Sequence, residues 1–139
     1  MRRSISVYVS LPMISMENFD FHKNYVQIIK ELGLKVISEW VCIPPYNEKL
    51  PPRSIFERDI KAINVSDLLI ADITHQSHGV GMEIMYAYML GKKLIVTFKK
   101  GSKVSRMILG IPGILCVEYE SLSDLREKLS EAIKRMWAD

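Results

Sequence analysis

The sequence has only two cysteines, seven glycines and six prolines among its 139 residues, and no long block of one charge. Cys42 and Cys116 lie far apart, each within an apolar run, which excludes a disulfide framework and favours buried, reduced thiols in a cytoplasmic protein. The 19 basic and 16 acidic residues are spread along the chain, so neither a nucleic-acid polymer nor a membrane surface is indicated as a partner. The basic N-terminal segment has a short apolar part that soon meets acidic residues, so we expect no signal peptide and no membrane span.

Apolar residues make up 48% of the chain, which suits one domain with a real core over residues 1–139. The patterns predict strands over residues 5–10, 34–41, 67–73, 93–98 and 113–119, and helices over residues 17–32, 53–64, 81–90 and 121–137. This alternation predicts a single-domain α/β protein: a doubly wound, flavodoxin- or Rossmann-like three-layer sandwich with a five-stranded parallel sheet. Such sheets bind ligands at the carboxyl ends of their strands, here just after Tyr8, Trp40 and Asp72.

One acidic residue of the helix over residues 53–64 lies on an unexpected side. At 100° per residue, Phe56, Ile60 and Ile63 form the apolar stripe, and Asp59 falls on the same side, while the charged neighbours, Arg58 among them, point away. A surface acid would be expected among the outward residues, so Asp59 either faces a cleft or bonds a neighbouring loop.

Glu83 is the only charged residue between Gly79 and Leu90, and we predict that it lies in the first turn of a helix that is apolar nearly all round. It could simply complement the positive end of that helix. However, Gly79 and Gly81 remove side chains nearby and Ser77 adds a hydroxyl, which together would form an anion-tolerant pocket around a desolvated carboxylate. The glycines match neither a Walker loop nor the dinucleotide pattern.

The segment SHGVGMEIMYAYMLGKKLIV, with Asp59 placed 24 residues before Glu83 and SRMILG beginning at Ser105, resembles the nucleoside 2-deoxyribosyltransferase superfamily. Within it, the chain is most similar to the 2'-deoxynucleoside 5'-phosphate N-hydrolases. The resemblance implies an enzyme that cleaves a nucleoside 5'-monophosphate, most readily a deoxy one, into free base and sugar phosphate. It also implies that Glu83 attacks the anomeric carbon, that Asp59 assists departure of the base, and that Tyr8 orients Glu83, although Tyr8 could equally be an ordinary strand aromatic.

Two serines separate the hydrolases from the transferases within this resemblance. Ser77 and Ser105 stand where the nucleotide hydrolases bind the 5'-phosphate and where the nucleoside transferases carry an acid and an amide. The resemblance further implies a homodimer in which Ser105 and Met107 complete the neighbour's pocket, while Ser105 could instead cap a short helix. No cofactor is implied, and we expect no metal, because His75 and His78 lack a further clear ligand.

The loop after the first strand departs from this family. It reads SLPMISMEN, without the arginine that would grip a phosphate, so Ser10 is the remaining phosphate-binding candidate there. Trp40 could stack on the base or pack beneath the proline-rich loop that follows it. A deoxyribosyltransferase and a nucleotide-binding regulatory module with little catalysis stay open as alternatives. A receiver-type signalling domain could use Asp72 as phosphoacceptor, but it would want acids after the first strand.

Overall fold

The computed structural model describes residues 4–13, 19–43 and 49–138. Within them, the strands are β1 (Ser6–Ser10), β2 (Lys35–Val36), β3 (Leu68–Asp72), β4 (Lys93–Lys99) and β5 (Leu115–Tyr119). The α-helices are α1 (Phe19–Glu31), α2 (Pro52–Asn64), α3 (His78–Met89), α4 (Arg106–Leu109) and α5 (Leu122–Met136). All strand pairs are parallel and the sheet order is β2-β1-β3-β4-β5. The predicted doubly wound sheet is confirmed.

Helices cover both faces of the sheet. In β1, Val7 and Val9 pack against α1 and α5, whereas Tyr8 points to the opposite face and packs with α2 and α3, because successive side chains of a strand alternate between faces. This alternation brings Tyr8 next to the helices that carry Asp59 and Glu83. Within the described ranges, no helix is both long and apolar enough to cross a membrane.

The second strand is much shorter than the eight residues predicted for it. It ends at Val36, and a 3-10 helix (Glu39–Cys42) follows, so Trp40 lies in that turn and not at the end of a strand. The Ser38 hydroxyl explains the early end, because it accepts a hydrogen bond from Val9 N–H and donates one to Val9 C=O, both at 2.8 Å. These are the backbone groups that a longer β2 would have used.

Helix α3 begins earlier than predicted, at His78, with Ser77 as its N-cap. The prediction that Glu83 lies in the first turn is therefore wrong: Glu83 is the sixth residue of the helix, in its second turn. An N-cap serine offers an acceptor to the free N–H groups at the start of a helix, and the apolar period of the sequence does not reveal such a start. Glu83 is thus too far from the terminus for helix-end compensation to account for it.

The apolar stripe of α2 is narrower than predicted. Ile63 is 1% exposed and Ala62 is buried beside it, but Phe56 is 56% exposed, so Phe56 does not face the sheet. Arg58 was expected to point outward, yet its side chain is only 24% exposed. The reason is a contact with Trp40, described below.

The two cysteines are free, but they are not buried as expected. Cys42 is half-buried in the 3-10 helix, and Cys116 is exposed on β5. The strand β5 lies at the edge of the sheet, so one of its faces is incompletely covered. Burial of each thiol is still sufficient to raise its pKa above the ordinary value.

Candidate active site

Two hydroxyls from one strand hold the Glu83 carboxyl. Tyr8 Oη donates to Oε2 of Glu83 at 2.7 Å, and Ser10 Oγ donates to Oε1 at 2.6 Å. Tyr8 and Ser10 are two residues apart on β1, so they share a face of the sheet and reach the two oxygens of one carboxyl. Both residues are 1% exposed, which fixes the carboxyl in a single orientation at the carboxyl end of β1.

Asp59 comes to the same carboxyl from α2. Burial raises the pKa of Glu83 to about 7, and the hydrogen bonds from Ser10 and Tyr8 oppose the rise. The negative charge of Asp59 and a hydrogen bond that protonated Glu83 donates to Asp59 add to the rise. A hydrogen bond between two carboxyls requires one of them to be protonated, so near neutrality the pair shares a single proton. Burial, together with the negative charges of Glu83 and Asp59, also raises the pKa of Tyr8 well above its usual range, so its phenol stays a donor.

Trp40 and Arg58 close the other side of this site. The Arg58 Cζ lies 4.4 Å from the centroid of the Trp40 ring, and Arg58 Nε donates to Asp59 Oδ1 at 2.9 Å. Trp40 in turn meets Tyr8 edge to face, with ring centroids 6.4 Å apart and an interplanar angle of 66°. One face of the indole is therefore stacked against a guanidinium, which combines cation–π attraction with burial.

Of the residues predicted to bind phosphate, Ser10 bonds instead to Glu83, and the others lie along a different surface. Ser77, Gly81, Ser105 and Met107 line a groove of about 860 Å³ between α3 and the segment around α4, and Glu83 is not among its lining residues. A Cβ at Gly81 would meet no atom within 4 Å, so the groove is open beside the start of α3. Its walls are largely apolar.

Both groove serines already have structural partners. The Ser77 hydroxyl accepts from Val80 N–H at 3.3 Å, and the Ser105 hydroxyl accepts from Ile108 N–H at 3.2 Å, each as the N-cap of a helix. The capping role foreseen as the alternative for Ser105 is thus present. A capping hydroxyl still has its own proton to donate, so it can bind an anionic oxygen without giving up the cap.

The structure thus sorts the sequence-predicted site residues into two groups. Tyr8, Ser10 and Asp59 converge on Glu83, with Trp40 beside them, while Ser77, Gly81, Ser105 and Met107 lie along the groove and Gly79 is exposed at the start of α3.

Sequence reasoning missed Arg58 and Ser38 in this site. Ser38 matters because it ties the 3-10 helix that carries Trp40 to β1. The sequence gives a weak signal for Arg58, because this arginine directly precedes Asp59, an acidic residue on the apolar side of α2.

No cluster of three or more histidine, cysteine or acidic side chains in the described part of the chain is arranged to hold a metal ion. His75 and His78 are both exposed at the start of α3.

The fold and the site together define a class of protein. A parallel sheet of order 2-1-3-4-5 has its switch point between β1 and β3, where doubly wound proteins hold small ligands. Here that point carries two half-buried carboxyl groups, Glu83 and Asp59, and glycosidases use a pair of carboxyl groups to cleave the bond to a sugar.

Comparison with known proteins narrows the class. No family model matches the chain. A protein of Thermofilum pendens whose name assigns it to the 2'-deoxynucleoside 5'-phosphate N-hydrolases is 30% identical over 139 residues, spanning 93% of this chain and 95% of its own. The 5-hydroxymethyl-dUMP N-hydrolase of Danio rerio is 30% identical over 94 residues, 62% of this chain and 66% of its own. The chain belongs to the 2'-deoxynucleoside 5'-phosphate N-hydrolase family, as the resemblance of the sequence implied.

A solved structure agrees with this assignment at the level of the fold. The CMP N-glycosidase BcmB of Clostridium botulinum superposes with a TM-score of 0.72, covering 91% of this chain and 98% of its own at 20% identity. The two proteins therefore share a fold although few of their residues are identical.

Proposed function

We propose that this protein hydrolyses the N-glycosidic bond of nucleoside 5'-monophosphates, deoxyribonucleotides in particular, and releases the free base and a sugar 5-phosphate. The observation that carries the proposal is the half-buried Glu83 carboxyl, which Tyr8 and Ser10 hold and which is paired with Asp59. The names of the two relatives, each an N-hydrolase of a nucleotide, support the same reaction.

In the first step, the Asp59–Glu83 pair begins with one proton. As the bond between C1' and the base nitrogen breaks, its electron pair leaves with the base, and the shared proton passes through Asp59 to that base. The Glu83 carboxylate then bonds to C1' and forms a covalent glycosyl intermediate. Tyr8 and Ser10 hold the two oxygens of Glu83, so one orientation of the nucleophile is fixed before substrate binds.

In the second step, water attacks C1' and breaks the bond to Glu83. Asp59, now ionised, takes a proton from this water, so the pair regains its single proton and the sugar phosphate leaves with its original configuration. Because the pair must hold one proton at the start, base release should decline as pH rises through about 7, where Glu83 loses its proton.

The 5'-phosphate is assigned to the groove serines. The donors are the hydroxyl of Ser77 and the hydroxyl of Ser105 from a second copy, with Met107 packing beside them. Support comes from the surface: Met82 is 61% exposed and Met107 is 80% exposed, both along the same groove. Exposed apolar side chains in one groove favour burial against a partner, and a homodimer would bring the partner's Ser105 to this groove.

The cellular setting follows from the same chemistry. Free nucleotides are cytoplasmic metabolites, and the two free thiols suit a reducing compartment. We therefore place the protein in the cytoplasm.

The decisive experiment incubates the protein with a panel of deoxy- and ribonucleoside monophosphates and measures free base by chromatography. Base release that is lost in Glu83→Gln, with folding of both proteins verified by circular dichroism, supports the proposal. A folded protein that releases base from none of them refutes it, and tight binding without turnover would identify a regulatory module. Adding a second base and finding a new nucleoside would instead identify a transferase.

A further inference from the structure

Arg58 occupies a place that its position in the helix does not predict. Neighbouring residues of a helix point about 100° apart, so side chains at i and i+1 do not face each other. Arg58 nevertheless curls back so that its Nε lies 2.9 Å from Oδ1 of Asp59, while its guanidinium stacks on Trp40. The two charged side chains are only 24% and 18% exposed, so the ion pair is shielded from much of the screening that weakens surface pairs.

The contacts of Arg58 belong to a closed ring of side chains around the nucleophile. Tyr8 donates to Glu83, Glu83 meets Asp59, Asp59 accepts from Arg58, Arg58 stacks on Trp40, and Trp40 returns edge to face onto Tyr8. Each member of the ring is held from two sides. Replacing Arg58 would therefore leave both the Asp59 carboxyl and the Trp40 indole less firmly held.

The ion pair also divides the work of the two Asp59 oxygens. Arg58 holds Oδ1, which leaves the other oxygen to serve Glu83 and a departing base. The titratable or charged groups of the described chain that act on this centre are Arg58 on the same helix, Glu83 on α3 and Tyr8 on β1. Arg58 supplies the single positive charge among them. A hydrogen bond from the rigid guanidinium to one oxygen limits rotation of the Asp59 carboxyl, so the other oxygen keeps its direction.

We propose that Arg58 is a positioning residue for departure of the base: stacked on Trp40, it holds the Asp59 carboxyl in the orientation from which a proton passes to the leaving group. This inference rests on the proposed function and adds to it a residue that does not itself touch the reacting atoms. It separates leaving-group assistance, which depends on Arg58, from nucleophilic attack, which depends on Tyr8 and Ser10.

The test compares Arg58→Met, which keeps an apolar chain against the indole, with Lys61→Met, a matched control on the exposed side of the same helix. Two substrates are used: the best monophosphate and its ring-halogenated analogue, whose base leaves with less help from a proton. For Arg58→Met we expect kcat on the natural substrate to fall about ten- to hundredfold with little change in KM, and kcat on the analogue to fall less than about threefold.

The pH profile supplies a readout that a purely structural role would not move. Arg58→Met removes the positive charge next to the carboxyl pair, so the descending limb of kcat against pH should move to higher pH. Arg58→Lys keeps the positive charge but loses both the planar stack on Trp40 and the Nε contact with Asp59. Its kcat should therefore be lower than that of wild type, while the descending limb of its pH profile should stay in place. This variant also decides the matter if Arg58→Met does not fold.

The outcomes separate this inference from the proposed function. If the folded wild-type protein releases no base, the proposed function and the role of Arg58 both fall. If the wild type is active and Arg58→Met behaves like Lys61→Met, or loses kcat equally on both substrates with an unmoved limb, only the inference falls. A large rise in KM for nucleotides but not for nucleosides also overturns it, because Arg58 would then be a phosphate ligand.

Discussion

The Tyr8 hydroxyl donates a 2.7 Å hydrogen bond to Oε2 of Glu83 across 75 residues of sequence. Ser10 holds the other oxygen from the same strand, so the orientation of the carboxyl is set by the sheet and not by the helix that carries it. This relationship makes the role of each group separately testable.

Replacing Glu83 with Gln should abolish base release. Glutamine keeps the shape and can still meet Tyr8 and Ser10, but its amide cannot bond to C1' as a nucleophile, so we expect a loss of at least about a thousandfold in kcat. Single-turnover release of base, followed by chromatography, measures the effect. A Glu83→Gln protein with kcat within tenfold of wild type would refute the assignment of Glu83.

Tyr8→Phe removes one hydrogen bond from Glu83 and leaves the ring against Trp40. A hydrogen bond to a charged group is worth about 1.5–3 kcal/mol, so kcat should fall roughly ten- to hundredfold. The Tyr8 bond lowers the pKa of Glu83, so its removal should also move the descending pH limb upward. Tyr86→Phe, whose hydroxyl accepts from Asn64, is the control and should change neither quantity; an unmoved limb in Tyr8→Phe would contradict the prediction.

The pH dependence of stability offers a test that needs no substrate. The folded pKa of Glu83 is about 7, against 4.5 for the ordinary side chain, so the ionised form is the one that folding penalises. The stability linked to Glu83 is fully present below about pH 4.5 and is lost as pH rises through about 7, by roughly 3 kcal/mol in total. Urea unfolding should therefore show Glu83→Gln gaining stability on wild type between pH 5 and pH 8, on the order of that amount. If the free energies of unfolding of wild type and Glu83→Gln change with pH in parallel over this range, the raised pKa of Glu83 is excluded.

Asp72 should matter for stability and not for catalysis. It is 3% exposed, faces α1 and α5, and accepts hydrogen bonds from Thr97 at 2.8 Å, Tyr119 at 2.7 Å and Thr74 N–H at 3.1 Å. Asp72→Asn presents a donor to hydroxyl groups that need an acceptor, so unfolding should become easier by about 2–3 kcal/mol while kcat at 20 °C stays within about twofold. A large loss of kcat in the folded variant would link this network to the Glu83 site.

Mixed subunits test the proposed dimer. Ser105→Asp keeps an N-cap acceptor but repels a phosphate, so it should be nearly inactive alone. Mixing Ser105→Asp with Glu83→Gln subunits creates heterodimers with one intact site, and activity should recover to about a quarter of wild type. Gel filtration checks that each variant is a dimer. If subunit exchange is verified and the mixture stays inactive, a shared site is ruled out.

Much of the fold and of the Glu83 centre could be predicted from sequence. The family resemblance implied that Tyr8 lies beside Glu83, and Asp59 stands out because it lies on the inner side of its helix. Ser10 was expected at a phosphate, but its hydroxyl bonds to Glu83. The extent of β2 could not be predicted, since the Ser38 side chain replaces ladder hydrogen bonds with its own. The role of Arg58 could not be predicted for a related reason. Its side chain is oriented by stacking on Trp40, and Trp40 reaches that position only because β2 ends at Val36.

The outward face of α3 has a chemical consequence of its own. Its exposed apolar residues, Met82, Met85 and Met89, are unbranched thioethers that change rotamer at little cost and can adapt to surfaces of different shape. Oxidants convert such side chains to polar sulfoxides. Any assembly built on this face would thus loosen under oxidative stress and recover after enzymatic reduction, while the buried residues beneath it remain chemically untouched.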